Sequence, residues 1–158
     1  VIGPYRQKAK DDLQSLRRRF LPHYTATNAT GAGAVSLPNH PAANLIDGRP
    51  DTYWASSPTK DGVGTILTLT FPKPVDLGKL GFTLGDSDDF LAQPRPSKIH
   101  VAFAGGGNDI SLADTAKFQA VTFNANQVTS LQMTIQGVYP ASTGHSCSIA
   151  EIEFFART

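Results

Sequence analysis

The residues best placed to do chemistry form one stretch, Ala42-Ala43-Asn44-Leu45-Ile46-Asp47-Gly48-Arg49-Pro50-Asp51-Thr52-Tyr53-Trp54. An apolar lead runs into Asp-Gly, a tight turn follows, and a Thr-x-Trp step closes the segment. Asp47 and Thr52 stand five positions apart across Gly48 and Pro50, so one curled loop can aim several oxygens inward. Such a loop suits a hard cation such as calcium, which takes about six to eight oxygen ligands and accepts backbone carbonyls readily. It is no EF-hand, because the acidic alternation and the closing Glu are missing. The same residues describe equally well an Asx turn beside a buried tryptophan, and the sequence by itself leaves the two readings level.

Elsewhere the groups that catalysis needs do not assemble. The histidines His23, His40, His100 and His145 are scattered and form no HExxH pair. His100 falls between the inward positions Ile99 and Val101 and reads as a solvent-facing strand residue. No Gly-x-Ser-x-Gly elbow is present. Cys147 has His145 two residues away, whereas a papain-like nucleophile takes its base from a distant segment, so Cys147 reads as a small core residue. Asp86, Asp88 and Asp89 carry the carboxylates a glycosidase would pair, but a Gly-Asp-Ser-Asp-Asp string reads as a solvated loop. Neither Gly31-Ala32-Gly33-Ala34 nor Gly105-Gly106-Gly107 leads into the Lys-Ser/Thr of a phosphate loop, and the triplet is expected to be a hairpin turn. The chain is read as non-catalytic.

Whatever these residues do, an all-β scaffold must position them. The chain has 158 residues, 40% hydrophobic and 17% charged, with 14 Gly and 11 Pro, which suits one turn-rich domain and not a helical bundle. A single cysteine excludes an internal disulfide and a multi-thiolate zinc cluster. No apolar run is long enough to cross a membrane as a helix. Leu67, Leu69 and Phe71 alternate with threonines; Ile99, Val101 and Phe103, then Leu131, Met133 and Ile135, then Ile152 and Phe154 repeat that period of two. Pro72, Pro74, Gly78, the glycine triplet and Gly137 punctuate the runs, the pattern of an antiparallel sandwich or barrel. One short α-helix is expected over residues 5–20, where Leu13, Leu16 and Phe20 keep helical spacing before Pro22. The net charge of +1 divides unevenly: residues 1–20 carry six basic and two acidic side chains, a net +4, leaving −3 on the remainder. Residues 1–23 are therefore read as a basic helical leader and 24–158 as the sandwich.

The Ala42–Trp54 segment resembles the signature of the discoidin, or coagulation-factor-type C, domains and of the family 32 carbohydrate-binding modules, in which Ala-x-Asp-Gly-x-x-x-Thr-x-Trp opens the sandwich. Val75-Asp76-Leu77-Gly78, Arg95-Pro96-Ser97-Lys98-Ile99 and Ile149-Ala150-Glu151-Ile152-Glu153-Phe154-Phe155 follow in the order these domains use. More narrowly, Phe90 to Pro96, Leu112-Ala113-Asp114, Val138-Tyr139-Pro140 and the final Glu-x-Glu-Phe-Phe resemble the NADase-type glycan-binding domain of actinobacterial surface proteins. The likeness spans residues 24–156, and its label does not imply that the module cleaves NAD.

The resemblance implies an antiparallel jelly-roll sandwich of the galactose-binding-like class. It implies a structural calcium ion held by carbonyls of Asn44, Arg49 and Ala150, the side chain of Asp47, the hydroxyl or carbonyl of Thr52 and the carboxylate of Glu151. Ligands would dock on three loops at one end: Thr30 to Pro41, Ser56 to Gly64 and Gly85 to Arg95. Candidate readers there are Asn39, His40, Lys60, Asp61, Asp86, Asp88, Asp89, Phe90 and Arg95, while Trp54 is assigned to the core. The implied function is a non-catalytic glycan-binding module that attaches a larger protein to a cell-surface or extracellular polysaccharide. The alternative is a protein-interaction module on the same fold. Nucleic acid is not expected, because the domain behind Arg17-Arg18-Arg19 is net acidic and no reading motif accompanies that run. Contact with a membrane is expected only through the parent protein, since the loops are acidic.

Overall fold

The computed structural model describes residues 23–24, 26, 28–32, 36–49, 51–86 and 88–157. The expected helix over 5–20 lies outside the described residues. Eight strands are described: β1 (His23–Tyr24), β2 (Asn28–Ala32), β3 (Trp54–Ala55), β4 (Ile66–Leu84), β5 (Arg95–Phe103), β6 (Gly106–Ser111), β7 (Gln119–Tyr139) and β8 (Ser148–Ala156). Every pairing between them is antiparallel, in the order β1-β8-β4-β7-β5-β6, with β2 added on β4 and β3 on β8. Among the described residues no helix is long and apolar enough to cross a membrane.

Two long strands turn this order into a β-sandwich. The first part of β4, Ile66 to Thr70, pairs with β2 and with Ser130 to Thr134 of β7; its last part, Leu77 to Leu84, pairs with β8 and with the start of β7. Both strands therefore contribute to both layers. The register shifts between Thr70 and Leu77, where Pro72, Lys73 and Pro74 are exposed. A proline cannot donate to a ladder, so it is tolerated where the ladder is already broken. Opposite this corner Gln127 takes a left-handed conformation (φ 53°), and its N–H donates to Asp76 Oδ1 at 2.9 Å. Pro72 and Pro74 thus mark a bend inside one strand, where the sequence reading placed a break.

The alternating residues fill the interior as their period requires. Leu67, Leu69, Ile99, Val101, Leu131, Met133, Ile135, Ile152 and Phe154 are all buried, and Phe103 packs edge-on against Phe123 with ring centroids 5.8 Å apart. Trp54 is fully buried, and its indole N–H donates to Ser36 Oγ at 2.9 Å, which satisfies the one polar atom the ring carries inward. The glycine triplet forms the β5–β6 hairpin, with Phe103 opposite Gly106. β8 is buried along nearly its whole length, on both faces. Phe82, wholly buried on β4, reports on this packing: Phe82→Ala is expected to cost roughly 3–5 kcal/mol in a urea unfolding experiment.

Candidate functional site

One end of the sandwich gathers four loops around the start of β8. The main chain of Ser146 to Ile149 holds them. Ser56 N–H donates to Cys147 O at 2.9 Å while Cys147 N–H donates to Ser56 Oγ at 2.9 Å, which fixes the 56–64 loop. Gly85 N–H donates to Ser148 O at 2.9 Å, and Ser148 N–H donates to Pro94 O at 3.0 Å, which fixes both ends of the 85–95 loop. β3 pairs Trp54 with Ile149 and Ala55 with Ser148, and the 36–41 loop hangs on β3 through Leu37 N–H to Ala55 O and Ala55 N–H to His40 O. The fourth loop, 140–147, is zipped to the third by Ser142 N–H to Leu91 O at 2.8 Å and Gly144 N–H to Ala92 O at 2.7 Å.

Two polar clusters result. In the first, Lys60 and Asp61 both adopt left-handed backbone conformations (φ 53° and 56°) before Gly62 (φ 86°). Neither carries glycine's freedom, and strain of this kind concentrates at functional sites. The turn lies directly over the core, since a Cβ on Gly62 would stand 2.5 Å from that of Cys147. It presents Asp61 to the fourth loop, where His145 Nδ1 lies 2.9 Å from Asp61 Oδ1. In the second cluster His40 stacks on Tyr53, with centroids 4.0 Å apart and planes at 17°. The Tyr53 phenol faces the carboxylates of Asp86 and Asp88. Partial burial first, and then these two carboxylates, hold that phenol above its ordinary pKa. Asp86 Oδ1 in turn accepts the Asp88 N–H at 2.8 Å.

Arg95 is the clear correction among the expected readers. It is 1% exposed, its Nε and Nη2 donate to Asp114 Oδ1 and Oδ2 at 2.9 and 3.0 Å, and Nη1 donates to Gln93 O at 2.8 Å. The Phe90 ring lies under this guanidinium, 5.0 Å from its carbon, and packs against the core. Both residues shape the 85–95 loop from beneath. Asn39, Lys60, Asp88 and Asp89 are exposed, while His40, Asp61 and Asp86 are partly buried. Tyr53 and His145 were not among the expected readers. Tyr53 occupies the unspecified position of Thr-x-Trp, and His145 meets Asp61 only across 84 residues. Cys147 is buried, which pushes its thiol well above the usual range, and His145 turns away to Asp61.

The Asn44–Thr52 loop forms a second, oxygen-rich feature against β8. Asp47 Oδ1 accepts the Arg49 N–H at 2.9 Å, and Thr52 Oγ1 lies 2.5 Å from Asp47 Oδ2 and 3.2 Å from Arg49 O. The Arg49 guanidinium pairs outward with Asp51. Glu151, 1% exposed, accepts the Gly48 N–H at Oε1, 3.2 Å away. The register shift between Thr83–Glu151 and Leu84–Ile149 makes Ala150 the extra residue of a β-bulge. Among the described residues no three His, Cys, Asp or Glu side chains gather as a metal set. The oxygens here are the Asp47 and Glu151 carboxylates, the Thr52 hydroxyl and the Arg49 carbonyl, hard ligands of the kind calcium takes and not those of zinc.

No family model and no curated protein sequence matches the chain. Solved structures do. A family 32 module of Clostridium perfringens, CpGH89CBM32-5 in complex with GalNAc-β-1,3-galactose, superposes with a TM-score of 0.64 at 20% identity, covering 82% of this chain and 94% of that one. The family 32 module of Clostridium perfringens NanJ, in complex with galactose, gives 0.60 at 19% over 80% and 93%. The AlyQ module, in complex with 4,5-unsaturated mannuronic acid, gives 0.61 at 18% over 84% and 97%. The chain has the fold of the family 32 carbohydrate-binding modules. Within that discoidin-like fold, Arg95 is a structural residue. Arg95→Ala is expected to lower stability by roughly 1–3 kcal/mol, because it leaves the Gln93 carbonyl without its donor and removes the cover over Phe90. Chemical denaturation measures this, and an unchanged midpoint would show that the guanidinium is not structural.

Proposed function

We propose that this chain is a non-catalytic glycan-binding module whose ligand site lies across the 36–41, 56–64, 85–95 and 140–147 loops. The observation that carries the reading is the strained Lys60–Asp61 turn presented to His145 at the same end as the His40–Tyr53 stack. A pyranose offers an apolar face and directional hydroxyls, and it is read by a ring together with planar polar groups. Tyr53 and His40 supply ring surface; Asp61, His145, Asp86 and Lys60 supply acceptors and donors. Solved modules of this fold hold galactose, a GalNAc-containing disaccharide and an unsaturated mannuronic acid, so neutral galactosides and uronic acids are the first ligands to try. The module would serve to hold a parent protein on an extracellular polysaccharide.

Affinity electrophoresis and calorimetry with galactose, N-acetylgalactosamine and mannuronate oligomers test the reading. The chain is expected to retain at least one of them. Asp61→Ala and His145→Ala should each weaken retention tenfold or more, the order expected for losing one hydrogen bond to a charged group at about 1.5–3 kcal/mol. Loss of no ligand in either variant would move the site elsewhere. Retention of no glycan would favour a protein-interaction module, a reading supported by the exposure of Leu91 (56%) and Val63 (37%) on the same loops.

The proposal includes a structural calcium ion held by Asp47, Thr52 and Glu151 with the carbonyls of Asn44, Arg49 and Ala150. Its support is the convergence of Asp47, Thr52 and the Arg49 carbonyl, with a buried Glu151 on the neighbouring strand. The ion would supply fixed positive charge between an early loop and the last strand. At a hundredfold excess over its dissociation constant calcium should stabilise the fold by about 2.7 kcal/mol, which for a domain of this size is roughly 5–10 °C in Tm. Asp47→Ala and Glu151→Gln should abolish the calcium-dependent shift. An unchanged melt on thorough chelation would remove calcium from the proposal.

A further inference from the structure

We infer that Tyr53 is a positioning residue coupling the oxygen-rich loop to the ligand loops, so that a cation held by residues 44–52 orders Asp86, Asp88 and His40. This rests on the calcium reading above and extends it to regulation of the glycan site.

The coupling follows from what each part of Tyr53 touches. Its main chain belongs to the oxygen-rich loop: it follows Thr52, whose hydroxyl contacts Asp47 and the Arg49 carbonyl, and its own carbonyl accepts the Asn44 side-chain N–H at 3.1 Å. Its side chain belongs to the ligand end. The ring lies flat on His40, and the phenol faces Asp86, which in turn holds the Asp88 N–H. A tyrosine has only two rotatable side-chain bonds, and here one face of its ring is held against His40. A change in the Thr52–Tyr53 backbone therefore moves the ring as a rigid lever. By linkage, any sugar that prefers the ordered Asp86 and His40 must raise calcium affinity by the factor by which calcium raises sugar affinity, typically about 5–150-fold in coupled systems. A competing route runs through β8, because Glu151 pairs with Thr83 two residues before Gly85. The two routes separate by substitution at Tyr53.

The test uses calcium alone, followed by heteronuclear NMR at fixed pH. In the unaltered chain the amides of Gly85, Asp86 and Asp88 and the ring of His40 are expected to shift with the same midpoint as the amides of Gly48 and Arg49. Tyr53→Phe keeps the stack and loses the hydroxyl that faces Asp86, so the His40 response should persist while most of the Asp86 and Asp88 response disappears. Tyr53→Ala should lose both, with Gly48 and Arg49 still responding; if that variant does not fold, Tyr53→Phe decides. Responses at Asp86 and Asp88 that are unchanged in Tyr53→Phe would overturn the inference in favour of the β8 route. So would silence at these residues while Gly48 and Arg49 respond. Silence at Gly48 and Arg49 as well would overturn the calcium reading itself, and the separate galactoside assays would still judge the glycan site.

Discussion

The ligand end of this molecule depends on one short piece of main chain, Ser146 to Ile149. Its N–H and C=O groups are shared among β3, the 56–64 loop and both ends of the 85–95 loop. Buried backbone groups must find partners, and each bond missed costs about 1–3 kcal/mol, so these loops are not free to choose other paths. Cys147 sits at the centre for a packing reason. It is small enough to lie beneath Gly62 and apolar enough to be wholly buried. A larger side chain would lift the Lys60–Asp61 turn, and Asp61 would lose His145.

This arrangement explains how a surface made of loops can hold a fixed geometry. The strained Lys60–Asp61 backbone persists because its neighbours over-determine it: Val63 N–H reaches Lys60 O, Thr65 N–H reaches Gly62 O, and Gly64 N–H reaches Ile135 O on β7. The 85–95 loop is braced differently, by a buried cation. Arg95 fills its underside with one bidentate pair, one carbonyl and one aromatic face. A planar guanidinium can satisfy all of these at once; a lysine in its place could not. The polar residues that face solvent are thus carried by groups that do not.

Strand positions were legible because a period of two survives any tertiary context, and Leu67, Leu69, Ile99, Val101, Leu131 and Met133 all point where it says. The corners were not. Pro72 and Pro74 are strand breakers by local rule, and only the paired register of β7 shows that β4 continues through them. The site was legible in its loops but not in all of its members. Asp61, His40 and Asp86 lie on the loops the family resemblance implies, whereas His145 acquires its role from a partner 84 residues away. Arg95 erred in the opposite direction. An arginine beside a proline in a polar loop reads as exposed, and Asp114, which pairs with it, stands 19 residues further on. Local sequence shows which residues can do chemistry, and long-range pairing decides which of them face solvent.

The absence of an internal disulfide bears on the Gly48–Glu151 contact. That hydrogen bond joins positions 103 residues apart, an early loop and the last strand. A covalent link closing a loop of that length would remove denatured-state entropy equivalent to roughly 4.7 kcal/mol, but the lone Cys147 is buried and committed to packing. A hydrogen bond to a carboxylate returns only about 1.5–3 kcal/mol, and Glu151 must give up its hydration to make it. A carboxylate almost fully buried on a strand is a poor choice for a staple unless other charge or dipoles are concentrated on it. The β-bulge at Ala150, the Asp47 carboxylate and the Thr52 hydroxyl all lie in the segments that meet there. A hydrophobic pair would have closed the same gap more simply. Ionisable oxygens at this clasp are the physical argument for the proposed cation, and Tyr53, rooted in the clasp and stacked on His40 of the ligand loops, is where its occupancy would be felt.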